Sequence, residues 1–218
     1  YFIEEIRKKN YLEYVLIIAK FIMTKFKNFF ENYLSKLHFS ISSTNIENLE
    51  KASEMIIKTI KKKKKNFVCG NGGSAAIANH YICDYLKFFR EKTKIKSQVY
   101  SLSSNLETIT AISNDISYDQ IFSYQAESLC NTGDLIIIIS SSGNSKNVIN
   151  LLKYANKNKL NTIGFSGFDG GYLKKNSKLS VHISAKNYGI SEDAHHVLMH
   201  LVLQYMIHKI DNNQFNFI

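Results

Sequence analysis

At 218 residues the chain suits one α/β domain with a helical extension, and two full domains would be cramped. A hydrophobic share of 44% supplies a core and excludes global disorder. The balance of 28 basic and 18 acidic side chains leaves +10, much of it in the lysine run 61–65 and in a general Lys, Asn and Ile bias without Pro or Trp; it reads as a solvated helix end, not a nucleic-acid footprint.

Residues 4–36 predict a helix, because Ile6, Tyr14, Ile17, Ile18, Phe21 and Phe29 recur near a period of about 3.6 residues. The apolar stretch 11–30 within it carries Glu13, Lys20, Lys25 and Lys27, which argues against a membrane span, and no signal-peptide pattern is seen. A break at 40–44 precedes a second helix over 46–62, with Ser43 or Thr44 as its N-cap. From Asn66 the pattern alternates. Strands are expected at 66–69, 97–102, 135–139, 161–165 and 179–183, and helices at 74–89, 105–113, 118–128, 146–158 and 190–209. Residues 167–171 (Gly-Phe-Asp-Gly-Gly) read as a turn. Strands made of near-continuous Ile, Leu and Val runs, separated by helices, argue for a parallel sheet covered on both faces. The expected fold is therefore α/β: a doubly wound, flavodoxin-like, five-stranded parallel sheet flanked by helices, spanning 46–218 as one unit, with an N-terminal helical arm over 1–45. Three cysteines, Cys69, Cys83 and Cys130, are an odd number without metal-site spacing, which points to a reducing, cytoplasmic setting.

Two loops carry the chemistry. The strand ending at Cys69 breaks into Gly70-Asn71-Gly72-Gly73-Ser74 before an Ala-rich helix, and the strand 135–139 runs into Ser140-Ser141-Ser142-Gly143-Asn144-Ser145 before another. Each delivers small, hydroxyl-bearing residues to a helix start, where free N–H groups and the helix dipole attract anions such as phosphate. The first loop also fits the loose dinucleotide pattern G-x-G-x-x-A, but Ser101-Leu102-Ser103-Ser104-Asn105 stands where the ribose-binding acid belongs. Neither loop continues into Gly-Lys-Ser/Thr, and no G-x-S-x-G elbow supports a nucleophilic serine. Two Ser- and Asn-rich loops on one sheet edge favour phosphate or sugar binding over plain tight turns, with Ser74, Ser140, Ser141, Ser142 and Ser145 as hydroxyl donors.

A set of polar residues sits where apolar ones are expected. His80 and Asp84 are four apart and share one helical face. The last helix is apolar nearly all round (Val197, Leu198, Met199, Leu201, Val202, Leu203) yet carries Glu192, Asp193, His195, His196 and His200. Buried without partners these groups are costly, so they are expected to meet each other or a ligand. His80, Asp84, Glu192 and His200 suit zinc ligation and equally suit acid–base work beside a carbonyl. Glu192 and His200 are separated by about 12 Å of regular helix, so both reach one ion only with a break in the helix or a second subunit.

Together, these motifs resemble the sugar isomerase (SIS) superfamily, and within it the phosphoheptose isomerases. The likeness rests on 70–76 with His80 downstream, Ser113-Asn114-Asp115, 140–148, 167–171 and the closing Glu192…His195…His200 helix. It implies a SIS-type fold and substrate contacts from Asn71, Gly72, Gly73, Ser74, Asn114, Asp115 and Glu192. It also implies a phosphate held by Ser140, Ser141, Ser142 and Ser145, and a catalytic pair at Asp84 and His200. Zinc at His80, Asp84, Glu192 and His200 is implied, one ion per subunit, as is a homotetramer with sites at subunit interfaces. Two departures stand out: the family usually has Glu at the position of Asp84 and Gln at that of Glu192. The implied reaction interconverts sedoheptulose 7-phosphate and D-glycero-D-manno-heptose 7-phosphate through an enediol, with Asp84 or Glu192 as base. Rival readings are an isomerase of another sugar phosphate, and a non-catalytic sugar-phosphate sensor or replication-initiator adaptor. The retained acidic and imidazole groups favour the enzyme.

Overall fold

The computed structural model describes residues 11–211, without the side chains at positions 11–14, 17, 19 and 21. The first part of the helix expected over 4–36 lies outside the described residues. Its described part, α1 (Tyr11–Ser42), continues through the expected break. Ser40 tolerates the helix because its hydroxyl donates back to the Lys36 carbonyl at 2.8 Å. The Ser43 and Thr44 hydroxyls likewise bond back to the Ser40 carbonyl, so neither caps α2 (Ile46–Lys61). That cap is Asn45, whose side-chain oxygen accepts from the Asn48 N–H at 3.0 Å.

β1 (Lys65–Cys69) leads into α3 (Gly73–Cys83), which continues as a π-helical stretch over Asp84–Phe89 and a short α4 (Arg90–Thr93). Then come β2 (Gln98–Ser101), α5 (Leu106–Asp115), a 3₁₀ turn (Tyr118–Gln120) and α6 (Ile121–Leu129). The remaining elements are β3 (Leu135–Ser140), α7 (Lys146–Lys157), β4 (Asn161–Ser166), α8 (Gly171–Asn176), β5 (Leu179–His182) and α9 (Tyr188–Ile210). All five expected strands are present. The expected turn at 167–171 runs directly into the short helix α8, and the helix expected over 74–89 changes its winding at Asp84.

The strands are all parallel in the order β2-β1-β3-β4-β5. The winding reverses between β1 and β3, and open sheets of this order bind ligands at that point, beyond the C-terminal strand ends. Cys69 pairs with Ile138, so the loops that follow β1 and β3 leave the sheet side by side. The pleat divides the core. Phe67, Cys69, Ile136 and Ile138 face α5, α6, α7 and α8, whereas Val68, Ile137, Ile139 and Phe165 face α2, α3 and α9. Both sets are buried, which is why these strands read as unbroken apolar runs.

The second half of α1 belongs to this body. Tyr33, Leu37 and Ile41 pack on the core, and the Tyr33 hydroxyl donates to Asp193 at 2.5 Å. Farther back along α1, Ile18, Ile22, Met23, Phe26, Phe29 and Phe30 stay between 51% and 71% exposed. Among the described residues, no helix is long and apolar enough to cross a membrane. The lysine run forms the exposed end of α2, a turn at Lys62 and Lys63, and the first residue of β1.

At the opposite edge of the sheet from the two loops, the carboxylate of Asp134, 1% exposed, accepts from the Lys65 N–H at 2.8 Å and the Asn131 N–H at 2.9 Å. It ties the entries of β1 and β3 together. Asp134→Ala removes the acceptor of two part-buried backbone donors and is expected to lower unfolding stability by about 1–2 kcal/mol, read from urea denaturation. A loss below about 0.5 kcal/mol would show that water replaces the carboxylate there.

Candidate active site

In the first loop the backbone rises at Gly70, where a Cβ would stand 2.6 Å from that of Ser74, and turns at Gly72 with φ +53°. No atom lies within 4 Å of the Cβ that Gly72 lacks, so its face is open for a ligand. The second loop turns at Gly143, φ +64°, where a Cβ would meet the Gly170 carbonyl at 2.1 Å. The Gly143 carbonyl accepts from Leu173 N–H and the Asn144 side chain accepts from Tyr172 N–H, so α8 braces this loop from behind.

Asn71 and Asn147 join the loops by two reciprocal amide hydrogen bonds, each 2.9 Å, and the Tyr118 hydroxyl donates to Asn71 at 3.0 Å. Asn147 is 1% exposed. Its site role was not expected from the sequence; the available signal was a polar residue on the inward face of an amphipathic helix. Asn45, Asn105 and Asn187 cap α2, α5 and α9 with side-chain oxygens, whereas α3 and α7, which start at the two loops, have no side-chain cap. Val148 N–H donates to the Asn147 side chain and Ala75 N–H to the Asn71 and Gly72 carbonyls, which leaves the first two amides of each helix for an anion.

The hydroxyls are unevenly committed. Ser140 accepts from Gly143 N–H at 3.2 Å and Ser142 from Asn144 N–H at 3.3 Å. Ser141 is buried with no partner for its hydroxyl, and Ser145 begins α7 without using its own hydroxyl as a cap. Ser74 is buried in the first turn of α3. Asn114 and Asp115 lie exposed at the end of α5, bonded to each other at 2.8 Å, and make no hydrogen bond to the two loops among the described residues.

Beside this cradle α3 and α9 bring together a polar cluster within one chain. Asp84, the first residue of the π-helical stretch, places one oxygen 3.3 Å from His80 Nε2 and the other 3.3 Å from His200 Nε2. The two Nε2 atoms are 3.1 Å apart. His196 joins them, its ring centroid 4.8 Å from that of His80 and 4.5 Å from that of His200. Burial and the two neighbouring imidazoles lower its pKa, and its buried Nε2 has no hydrogen-bond partner. One ring nitrogen each from His80, His196 and His200 lies within 4.8 Å of the others. Converging imidazole nitrogens, one of them orphaned, next to a carboxylate make a donor set that fits zinc. Glu192 lies one turn before His196. Its carboxylate fills the space where Gly73 would carry a Cβ, 2.2 Å from Oε2, and burial followed by the Asp193 charge raises its pKa. The structure thus brings His80, Asp84 and His200 together, sets Glu192 against the first loop, and adds His196.

A switch-point cradle with this sheet order is common to doubly wound α/β folds, and the family model described as SIS domain, which matches residues 28–167, places the chain in the SIS class. Within that class the chain belongs to the phosphoheptose isomerase family. It is 34% identical to the phosphoheptose isomerase of Campylobacter concisus over 166 residues, covering 76% of this chain and 87% of that protein. To the probable phosphoheptose isomerase of Thermoplasma acidophilum it is 37% identical over 158 residues, 72% of this chain and 86% of the other. The solved phosphoheptose isomerase from Neisseria gonorrhoeae superposes with a TM-score of 0.75 at 26% identity, over 85% of this chain and 98% of that one.

His195, next along α9, does different work. It is 0% exposed, edge-on to Phe165 at 6.2 Å and beside the Ser166 backbone. Burial pushes its pKa down from 6.5 to about 4. Folding therefore favours the neutral ring, so its contribution is complete above pH 6.5 and is lost as pH falls towards 4. The expected loss is on the order of 3 kcal/mol. In metal-free protein His195→Leu should flatten the fall in urea stability between pH 6.5 and 4 relative to the parent. An identical fall would assign the acid sensitivity to other groups.

Proposed function

We propose that this isomerase interconverts sedoheptulose 7-phosphate and D-glycero-D-manno-heptose 7-phosphate, with Asp84 and His200 as its proton-transferring pair. The observation that carries the assignment is the contact of Asp84 with His200 beside two uncapped helix starts. The substrate phosphate sits on the 140–145 loop, where Ser140, Ser141, Ser142 and Ser145 and the first amides of α7 receive it. The sugar lies over Asn71, Gly72, Gly73 and Ser74, with Glu192 at its edge and Asn114 and Asp115 reaching the far end. Asp84 takes the C1 proton next to the C2 carbonyl, giving an enediol. His200, within hydrogen-bond reach of Asp84, moves the proton between the two oxygens and completes its return to C2.

Zinc belongs to the same proposal. His80, Asp84 and His200 would hold it, and Glu192 and His196 compete for the remaining place. Bound there, it would supply carbonyl polarisation and charge stabilisation for the enediolate.

The exposed apolar row of α1, together with the exposed Val197 and Leu201 of α9, supports a homotetramer with sites at subunit interfaces, since apolar area of this extent is seldom left to water. The division into an arm at 1–45 and a SIS unit at 46–218 belongs to the same reading, with Tyr33, Leu37 and Ile41 of the arm packed on the unit's core and the described stretch before them offered to other subunits. A cytoplasmic location is supported by three free cysteines, with burial raising the Cys130 thiol to about 12.

Sedoheptulose 7-phosphate incubated with the protein, with and without added zinc, is expected to yield the aldose. His200→Gln should abolish turnover, and Asp84→Asn should lower kcat by on the order of 10²- to 10⁴-fold, with circular dichroism unchanged in both. Full turnover in His200→Gln would remove the proton-transfer assignment, and no conversion by the parent in either condition would remove the substrate.

A further inference from the structure

The hydrogen bonds around Asn71 fix the direction of every proton in them. The Asn147 side chain lies 2.9 Å from the Val148 N–H, a group that can only donate, so its oxygen must face that way. The orientation of both amides follows. The Asn147 NH₂ donates to the Asn71 oxygen and the Asn71 NH₂ to the Asn147 oxygen, each at 2.9 Å. The Tyr118 hydroxyl, 3.0 Å from that same Asn71 oxygen, meets an acceptor and spends its proton there.

What remains for a ligand is unequal. The Asn71 oxygen accepts twice, which fills its two lone pairs, and one N–H of its amide is left over. Tyr118 is the opposite case. Its single proton is committed, no donor reaches its oxygen among the described residues, and the side chain is 53% exposed. Gly72, next to Asn71, has no atom within 4 Å of the Cβ it lacks, so the ground beside the hydroxyl is open. Tyr118 is also held from behind. Its 3₁₀ turn is bound to α7, where Asn150 donates to the Asp119 carbonyl at 2.9 Å and Lys146 stands 3.7 Å from the Asp119 carboxylate. The residue is thus fixed at its backbone by the helix of the second loop and at its hydroxyl by the first loop.

We propose that Tyr118 is a specificity-determining residue, its phenolic oxygen accepting a hydrogen bond from a hydroxyl of the sugar chain between the phosphate and the reacting carbons. Asn71 is bonded to the start of α7 and precedes α3, the helix that leads to Asp84, and this sets the part of the chain concerned. An acceptor whose own proton is already placed selects a polyol. A hydroxyl-bearing carbon satisfies it, whereas a deoxy carbon displaces water from it and returns nothing. The inference rests on the placement of the sugar over the first loop in the functional reading, and not on which heptose is bound.

Calorimetric titration of the full-length protein with a heptitol 7-phosphate, the reduced and unreactive open chain of sedoheptulose 7-phosphate, and with its monodeoxy counterparts tests it without turnover. Tyr118→Phe should bind the heptitol phosphate about 10-fold more weakly than the parent does, and inorganic phosphate equally well. One monodeoxy compound should bind the parent about 10-fold more weakly than the full polyol, and Tyr118→Phe should not distinguish the two. Thermal melts establish that the variant is folded, and the deoxy series in the parent stands independently of it. Parent-like binding of the heptitol phosphate by folded Tyr118→Phe would overturn the proposal, as would a parent that binds every monodeoxy compound as tightly as the full polyol or binds none of them. A variant weakened by one factor towards all the compounds and inorganic phosphate alike would reduce Tyr118 to a support of the loop, and overturn it too. The expected pattern in a parent that leaves sedoheptulose 7-phosphate unconverted would remove the substrate assignment and leave the role of Tyr118 standing.

Discussion

The reciprocal amide pair between Asn71 and Asn147 is the contact on which the site depends. It joins the loops after β1 and β3 at the point where the sheet reverses its winding, and so holds two helix N-termini side by side. Each N-terminus alone offers a few amides and a partial positive charge. Held together, they bring two such ends to one place at the sheet edge. Each amide donates to and accepts from the other, so the pair is satisfied although Asn147 is buried. α8 supports the arrangement from outside through Gly143 and Asn144.

The polar cluster between α3 and α9 obeys a second constraint. Asp84, His80 and His200 are polar groups at the contact between α3 and α9, and they are tolerated because each meets another. His196 is the member without a hydrogen-bond partner, and this incompleteness is what marks the cluster as built for something more than packing. His195, one residue away, faces a different side of α9 and is plain core, kept neutral by burial. The two adjacent histidines therefore have different environments solely because consecutive residues on a helix point about 100° apart.

The shift from α to π winding at Asp84 matters for the same reason. π segments alter the direction in which side chains leave a helix, and they recur at functional sites. Tyr81, Tyr85 and Phe89 stack in succession along the inner face, with ring separations of 4.1 and 5.5 Å, and keep that face buried while the winding widens. The Asp84 carboxylate therefore stands at the start of an irregular stretch, anchored by an aromatic column.

The sequence alone determined what depends on neighbours along the chain. Five apolar runs made five strands, Gly and Ser clusters made the two loops, and four-residue spacing put His80 with Asp84, because covalent geometry and helical period set those relations locally. The family itself was legible in the same short motifs. Other features were decided by packing across the molecule. Whether Ser43, Thr44 or Asn45 caps α2 depended on hydroxyls finding carbonyls behind them, and α8 formed where loop contacts with Gly143 and Asn144 favoured it. Above all, residues 120 positions apart, His80 and His200, meet only because the sheet order lays α3 against α9. That same contact, invisible in any local pattern, brought His196 into the site and set Glu192 against Gly73.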